Sequence, residues 1–497
     1  MRAEDLIIVI LAAGKGTRLK SDLAKVLHRA GGRTLVEHVV LACQPLGANT
    51  LVVIGHQGED VRAAVTPLGA STVLQRPQNG TGHAMLIARE AIGAESRIAL
   101  VLPGDAPLIR TETLRALLET HRTGRAAATI LTAQLGDPSG YGRIVRNPDG
   151  TVVAIAEEKS ASSSEREIRE VNSSIYCFAL DKLWPCLTSV RPENVHREIY
   201  LTDAIALLNQ KGERVLALEV TDAREILGCN TRAELSEVDR VFRARKAAAL
   251  MDAGVTIYLP ETVWIDPDVE VGRDTVIEPG VQLLGKTRIF SGVKIQTGTV
   301  VLDSDIDENA VIRQHSIVYR SHLGAGTVVG PFAHLRDGAE LRPGARVGNF
   351  VEVKKSVLGE GVKAMHLSYL GDATIGRDTN IGAGTITCNY DGVKKNPTRL
   401  GERVFVGSDT ALVAPISVGD GAYIAAGSTI TEDVPADALA IARGRQVNKP
   451  GWAAARRAKM SAPKSAAAGS ANGPVRAKIS RQKPSAKSKP SKKSRRS

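Results

Sequence analysis

The chain has 497 residues, more than one hydrophobic core normally organises, so at least two domains are expected. Hydrophobic residues make up 43%, enough for well-buried cores, and no apolar run approaches the roughly 20 residues needed to span a bilayer. The net charge of +12 is local: residues 453–497 hold 14 Lys and Arg and no acid, and subtracting those 14 leaves −2 for the rest.

In chain order, Leu6 to Leu11, Leu51 to Ile54, Ser71 to Leu74 and Ile98 to Leu102 are apolar runs that predict short buried strands. Thr34 to Gln44 and Ala84 to Ile92 carry helical patterns between them. Strands alternating with helices predict an α/β, Rossmann-like domain with a mostly parallel sheet over residues 1–230, its ligand at the carboxyl ends of the strands. Thr231 with Glu234 forms a capping box, and Leu235, Val238, Phe242 and Leu250 continue an apolar stripe. Residues 231–252 are therefore expected to be one linker helix.

From there the period changes to six. Ile265, Val271, Ile277, Leu283, Ile289, Ile295 and Val301 are evenly spaced, and the register resumes through Ile317, Leu323, Val329, Leu335, Leu341, Val347 and Val353. It returns at Leu400, Val406, Leu412, Val418, Ile424 and Ile430. A short strand followed by a sharp corner selects every sixth residue, so a parallel β-helix of hexapeptide repeats is predicted over 253–452. The apparent interruptions, Glu360 to Ala373 and Thr387 to Arg399, are expected to carry a binding face. The tail, 453–497, is too rich in Ala, Ser, Pro, Lys and Arg to build a core and is expected to be disordered, with weak polyanion affinity. The five cysteines lack C-x-x-C spacing, which fits reduced thiols. No basic segment followed by an apolar run opens the chain, so a cytoplasmic protein is expected.

Strand Leu6 to Leu11 leads into Ala12-Ala13-Gly14-Lys15-Gly16-Thr17-Arg18. Glycines after a buried strand let backbone N–H groups approach a polyphosphate, and Lys15 and Arg18 add positive charge. The spacing is neither G-x-G-x-x-G nor a Walker A motif. Leu11 through Leu19, followed by Lys25-Val26-Leu27-His28, resembles the fingerprint of sugar-1-phosphate nucleotidyltransferases. The resemblance continues through Gln75, Asn79 to Ala84, Pro103-Gly104-Asp105, Gly140 to Ile144, Glu157, Asn172 and Asn230. With the hexapeptide half, the chain resembles the bacterial bifunctional uridyltransferase/acetyltransferases that make UDP-N-acetylglucosamine.

That resemblance implies that Leu11, Ala12, Ala13, Gly14, Gly104 and Lys25 contact UTP, with Arg18 and Lys25 neutralising its phosphates. Gln75, Gly80 and Thr81 would read uracil. Gly142 or its neighbour Gly140, with Glu157 and Asn172, would hold the sugar. Asp105 and Asn230 would bind Mg²⁺, which needs few protein oxygens. Ala24 stands where the family commonly has Pro, and a slightly looser loop is expected there.

In the second half the resemblance assigns Arg336, Lys354, Tyr369 and Asn380 to glucosamine phosphate, and Ala383, Asn389, Tyr390, Ser408, Ala426 and Arg443 to acetyl-CoA. His366 would be the base that takes a proton from the sugar amine, a task suited to imidazole. His334 stands where the family often has Arg. The implied reactions are acetylation of glucosamine-1-phosphate, then uridylyl transfer to N-acetylglucosamine-1-phosphate, in a homotrimer that supplies peptidoglycan and lipopolysaccharide precursor. The alternatives are a monofunctional nucleotidyltransferase with a structural solenoid and a non-catalytic assembly subunit. His366 and the Thr387 to Arg399 loop speak against the first, and Lys25, Asp105 and Asn230 against the second.

Overall fold

The computed structural model describes residues 5–190 and 198–461. In the first half, seven strands form the body of a nine-stranded sheet. From one edge their order is Val215–Glu219, Ala128–Gln134, Glu170–Ala179, Ile98–Pro103, Leu6–Ala12, Asn49–Ile54 and Ser71–Leu74. Only Glu170–Ala179 runs antiparallel to its neighbours along this path, so the sheet is mostly parallel. Arg143–Arg146 and Val152–Ala156 extend it as a hairpin that was not legible as strands in the sequence. Helices pack both faces, giving one apolar cluster on each side. Ser71–Leu74 is half exposed: as an edge strand it is covered less than the buried strand expected there.

Leu35–Cys43 is a helix capped by Thr34 and Glu37, close to the expected span. The second expected helix begins earlier, at Thr81, and ends at Arg89. Arg232–Asp252 is the linker helix, with the capping box of Thr231 and Glu234 formed as anticipated. Phe242 on this helix stacks on His38 at 3.9 Å, tying the helix to the first half.

From Thr256 to Ala440 the chain winds through three parallel sheets of 11, 10 and nine short strands, a left-handed parallel β-helix. On most coils equivalent residues are 17 or 18 apart, as in Ile289↔Ile306 and Leu323↔Leu341, and 25 apart across the insertion, as in Ile381↔Val406. The inward side chains stack as ladders such as Ile277, Ile295, Ile312, Val329 and Val347, all fully buried. Each contributes roughly 1.5–3 kcal/mol of burial.

The structure corrects two details of the period. Val318, fully buried, points inward, whereas Ile317 is 45% exposed. Four coils shorten one corner to five residues, at Val301 to Ile306, Val318 to Leu323, Val353 to Leu358 and Leu370 to Ile375, always between the same two sheets. Glu360 to Ala373 is no interruption either: Ala364 fills the inward slot there with 0% exposure, and the strands stay in register. The segment between Ile386–Cys388 and Thr398–Leu400 is a true insertion, closed by a Tyr390↔Lys395 bridge.

Among the described residues, 444–461 belong to a separate unit, in which Trp452–Ser461 is an exposed α-helix. The expectation of a tail without structure from residue 453 is corrected for these positions, because Ala, Arg and Lys favour helix. The rest of that tail lies outside the described residues.

Candidate active sites

A cleft of about 1790 Å³ opens at the carboxyl ends of the parallel strands, where the topology places a ligand. Leu11, Ala13, Gly14, Arg18, Gln75, Gly80, Thr81, Asp105 and Glu157 line it. A Cβ on Gly14 would meet nothing within 4 Å, so the backbone there faces open space. Gly16 serves a different purpose. At φ +69° it lies against the Lys25 stem, and a Cβ would come within 2.4 Å of Lys25 Cβ. The glycine lets Lys25 cross the turn and reach Asp105, which lines the cleft.

Lys25, Asp105 and Asn230 meet at one point. The Lys25 ammonium forms an ion pair with Asp105 and donates to Asn230 Oδ1 at 2.7 Å; Arg18 donates to the same oxygen at 2.6 Å. The Cys229 N–H donates to the Asp105 carbonyl at 3.0 Å and so holds the Asn230 segment beside Asp105. Two oxygens already converging on one cation fit the sparse protein coordination of Mg²⁺. Burial, together with the Asp105 charge, pushes the neighbouring Cys229 thiol up to about 12, so it stays protonated.

Gln75 is buried and donates to the Gly80 carbonyl at 3.0 Å, shaping the loop before Thr81. Gly80, at φ +97°, would clash with the Ile199 carbonyl if it bore a side chain. The Leu201 N–H donates to Thr81 Oγ1 at 3.0 Å, and Thr202, which sequence reasoning missed, donates to Glu157 at 2.9 Å. Asn172 is buried and committed, donating to the Tyr176 hydroxyl at 2.8 Å and accepting from the Ser174 N–H. It supports the cleft wall and does not line the cleft, and neither do Ala12, Lys25, Gly104, Gly142 or Asn230. The Ala24 loop is not loosened. Ala24 is buried, and its N–H donates to Gln57 Oε1 at 2.6 Å, a bond that proline could not make.

On the β-helix, His366 ends strand Lys363–His366 and is exposed. Its Nδ1 lies 3.0 Å from Oδ1 of Asn349, the residue directly below it on the preceding coil. Two places beyond the paired positions Ala364, Ile381, Val406 and Ile424 stand His366, Ala383, Ser408 and Ala426, which therefore stack as one column. Arg443 closes that column, donating to the Ala426 carbonyl at 2.8 Å. A track of small side chains thus runs from His366 to a guanidinium.

Arg336, Lys354 and Tyr369 lie on the adjoining sheet. Arg336 is bound by Glu352 at 2.6 Å and Asp337 at 3.1 Å, so its charge is already balanced. The Lys395 amine beside Lys354, together with partial desolvation and the charges of Lys395 and Arg336, holds Lys354 below its usual pKa. Lys395 belongs to the inserted loop and was not singled out from the sequence. Asn389 is buried and donates to the Tyr369 hydroxyl at 3.4 Å and to Asp372 at 2.5 Å, positioning the tyrosine; Tyr390 is exposed. Asn380 lies on another sheet, in the column of Lys363 and Phe405, and one chain does not bring it to Arg336 and Lys354.

A Rossmann-like sheet with a cationic cleft, joined to a hexapeptide β-helix with a histidine column, defines a nucleotidyltransferase fused to a hexapeptide-repeat transferase. Residues 8–171 match the MobA-like NTP transferase domain, and residues 397–432 the hexapeptide repeat of succinyl-transferase. The chain is 49% identical over 457 residues to the "Bifunctional protein GlmU" of Koribacter versatilis, covering 91% of this chain and 97% of that one. The protein of the same name from Pelobacter propionicus is 48% identical over 451 residues, covering 90% and 98%. That of Streptococcus agalactiae is 45% identical over 446 residues, covering 90% and 97%. The chain belongs to the bifunctional GlmU family.

Proposed function

We propose that this chain completes UDP-N-acetylglucosamine in two steps at two separate sites. The β-helix acetylates glucosamine-1-phosphate with acetyl-CoA, and the first half transfers UMP from UTP to the N-acetylglucosamine-1-phosphate formed. The observation that carries this reading is the meeting of Lys25 and Asn230, 205 residues apart, with Asp105, which lines the cleft.

In the uridylyl step an oxygen of the sugar phosphate attacks the α-phosphorus of UTP and pyrophosphate leaves. Arg18 and Lys25 neutralise the phosphate oxygens, and electrostatic stabilisation is the protein's main contribution. Asp105 and Asn230 would hold Mg²⁺, which supplies further charge neutralisation when bound. Gln75, Gly80 and Thr81 fix the base end, and Glu157, oriented by Thr202, meets the sugar.

In the acetyl step His366 takes a proton from the sugar amine at Nε2, while Asn349 holds the opposite nitrogen. The amine nitrogen attacks the thioester carbon, and the coenzyme A thiol leaves. Lys354, Lys395 and Tyr369 engage the sugar phosphate. The column from Ala383 to Arg443 lies along the coenzyme.

We place the protein in the cytoplasm as a trimer through its β-helix. No helix among the described residues is long and apolar enough to cross a membrane. His315, Phe332, Phe350 and Leu367 stand on one corner of successive coils, all with φ near +50°; the first three stack at 5.2 and 5.5 Å, and Phe332, Phe350 and Leu367 are 48–60% exposed. Such a ridge suits burial against a second copy. It adjoins His366, so a neighbour could add Asn380-type contacts to each site.

Incubation with glucosamine-1-phosphate, acetyl-CoA, UTP and Mg²⁺, omitting one component at a time, tests the reading. Thiol release should require only the first two, and pyrophosphate release all four. Pyrophosphate release without acetyl-CoA would overturn the reaction order.

A further inference from the structure

A second cavity, of about 760 Å³, opens at the opposite end of the sheet, where Ile98–Pro103 and Ala128–Gln134 begin and the antiparallel Glu170–Ala179 ends. Strand rise puts it about 20 Å from Asp105. Arg89, Arg97, Arg122 and Arg125 line it, and among the described residues none of the four meets a carboxylate. Other arginines of this half do meet carboxylates: Arg146 binds Glu170, Arg224 binds Asp222 and Arg143 binds Glu158. The other charged lining residues are Lys182 and Glu213, which pair with each other at 2.7 Å, and Asp181. The lining thus carries an excess of three positive charges.

Guanidinium groups do not deprotonate, so a bound anion would relieve their mutual repulsion. Two further features point the same way. Helix Leu180–Leu187 opens at this cavity with no side-chain cap, and its Leu180 N–H is already used by the Arg97 carbonyl, leaving the following first-turn N–H groups for another acceptor. Arg89 lies over the Trp184 ring at 5.4 Å, which fixes one guanidinium at the rim. We propose that this cavity binds a small, multiply charged phosphate anion, of the di- or triphosphate class, outside the nucleotide cleft. Closely spaced charges and planar donors favour phosphate over a single carboxylate.

Trp184 is one of three tryptophans, so full-length protein with Trp264→Phe and Trp452→Phe reports on this cavity alone. Titration with inorganic tripolyphosphate, without divalent metal, should give a saturable change in Trp184 emission. Adding Arg97→Ser and Arg125→Ser should weaken binding at least tenfold and flatten its salt dependence. Arg97→Lys with Arg125→Lys should stay within a few-fold of the parent. Arg18→Ser, in the nucleotide cleft, should leave the titration unchanged. Matching far-UV circular dichroism and melting temperatures keep misfolding out of the comparison. The proposal is overturned by an unsaturable response, by equal binding in the double serine variant, or by loss of the signal in Arg18→Ser.

Discussion

Asn349→Ala isolates what holds the acetyl-transfer base. In the structure, the Asn349 amide oxygen lies 3.0 Å from His366 Nδ1, which places the proton on that nitrogen and leaves Nε2 free to accept one. When the ring takes up the amine proton, the same bond becomes charge-assisted, and bonds to charged groups are worth about 1.5–3 kcal/mol. Losing it should therefore lower kcat about 10- to 150-fold, since each 1.4 kcal/mol is tenfold. His366 is exposed, so the lower end is expected. KM for acetyl-CoA should hold, because the Asn349 side chain acts through His366. Thiol release followed against pH is the assay. Asn349→Asp should restore much of the rate and move the acidic limb to higher pH, because a carboxylate favours the protonated ring. Wild-type kcat with an unshifted profile in Asn349→Ala would refute the argument, and His366 would then need another orienting group.

Asp105→Ala should abolish pyrophosphate release while thiol release from acetyl-CoA stays near wild type; loss of both in folded protein contradicts separate sites. Val318→Ala should destabilise by about 1.5–3 kcal/mol as a filled inward slot is emptied, and Ile317→Ala by less than about 1 kcal/mol. Denaturant midpoints in the opposite order would reject the inward register. Burial pushes His38 and His121 down to about 4, below the roughly 6.5 of an unfolded chain. Their neutral forms are thus favoured on folding, so stability is full above about pH 6.5 and falls toward pH 4, by up to about 1.4 kcal/mol per unit for each histidine. Melting temperature against pH should have a shallower acid slope in His38→Phe, and an unchanged slope would remove His38 from the account.

The six-residue period located the coil from sequence because each corner forces one apolar side chain inward, and stacking repeats the demand. That period could not choose between Ile317 and Val318, since both are apolar and a shortened corner shifts the phase by one residue. Nor could it see through Ala364, which fills an inward slot without being Leu, Ile or Val. In the first half, the phosphate-loop residues, Lys25, Asp105 and Asn230 were legible as an ordered set. Their convergence was not, because it depends on the crossing of Gly16 and Lys25 and on the Cys229 N–H to Asp105 bond.

By itself, the sequence determined what repeats or is local: the strands of the parallel core, the capping box at Thr231, the hexapeptide ladders and the identity of the reactive side chains. Only the tertiary structure decided who stands beside whom. Asn349 lies 17 residues before His366, Gln57 33 residues after Ala24, and Lys395 41 residues after Lys354. Separations of that kind carry no local signal, because coil stacking and sheet order bring such residues together, and a side chain's partner is fixed only once the backbone between them is folded.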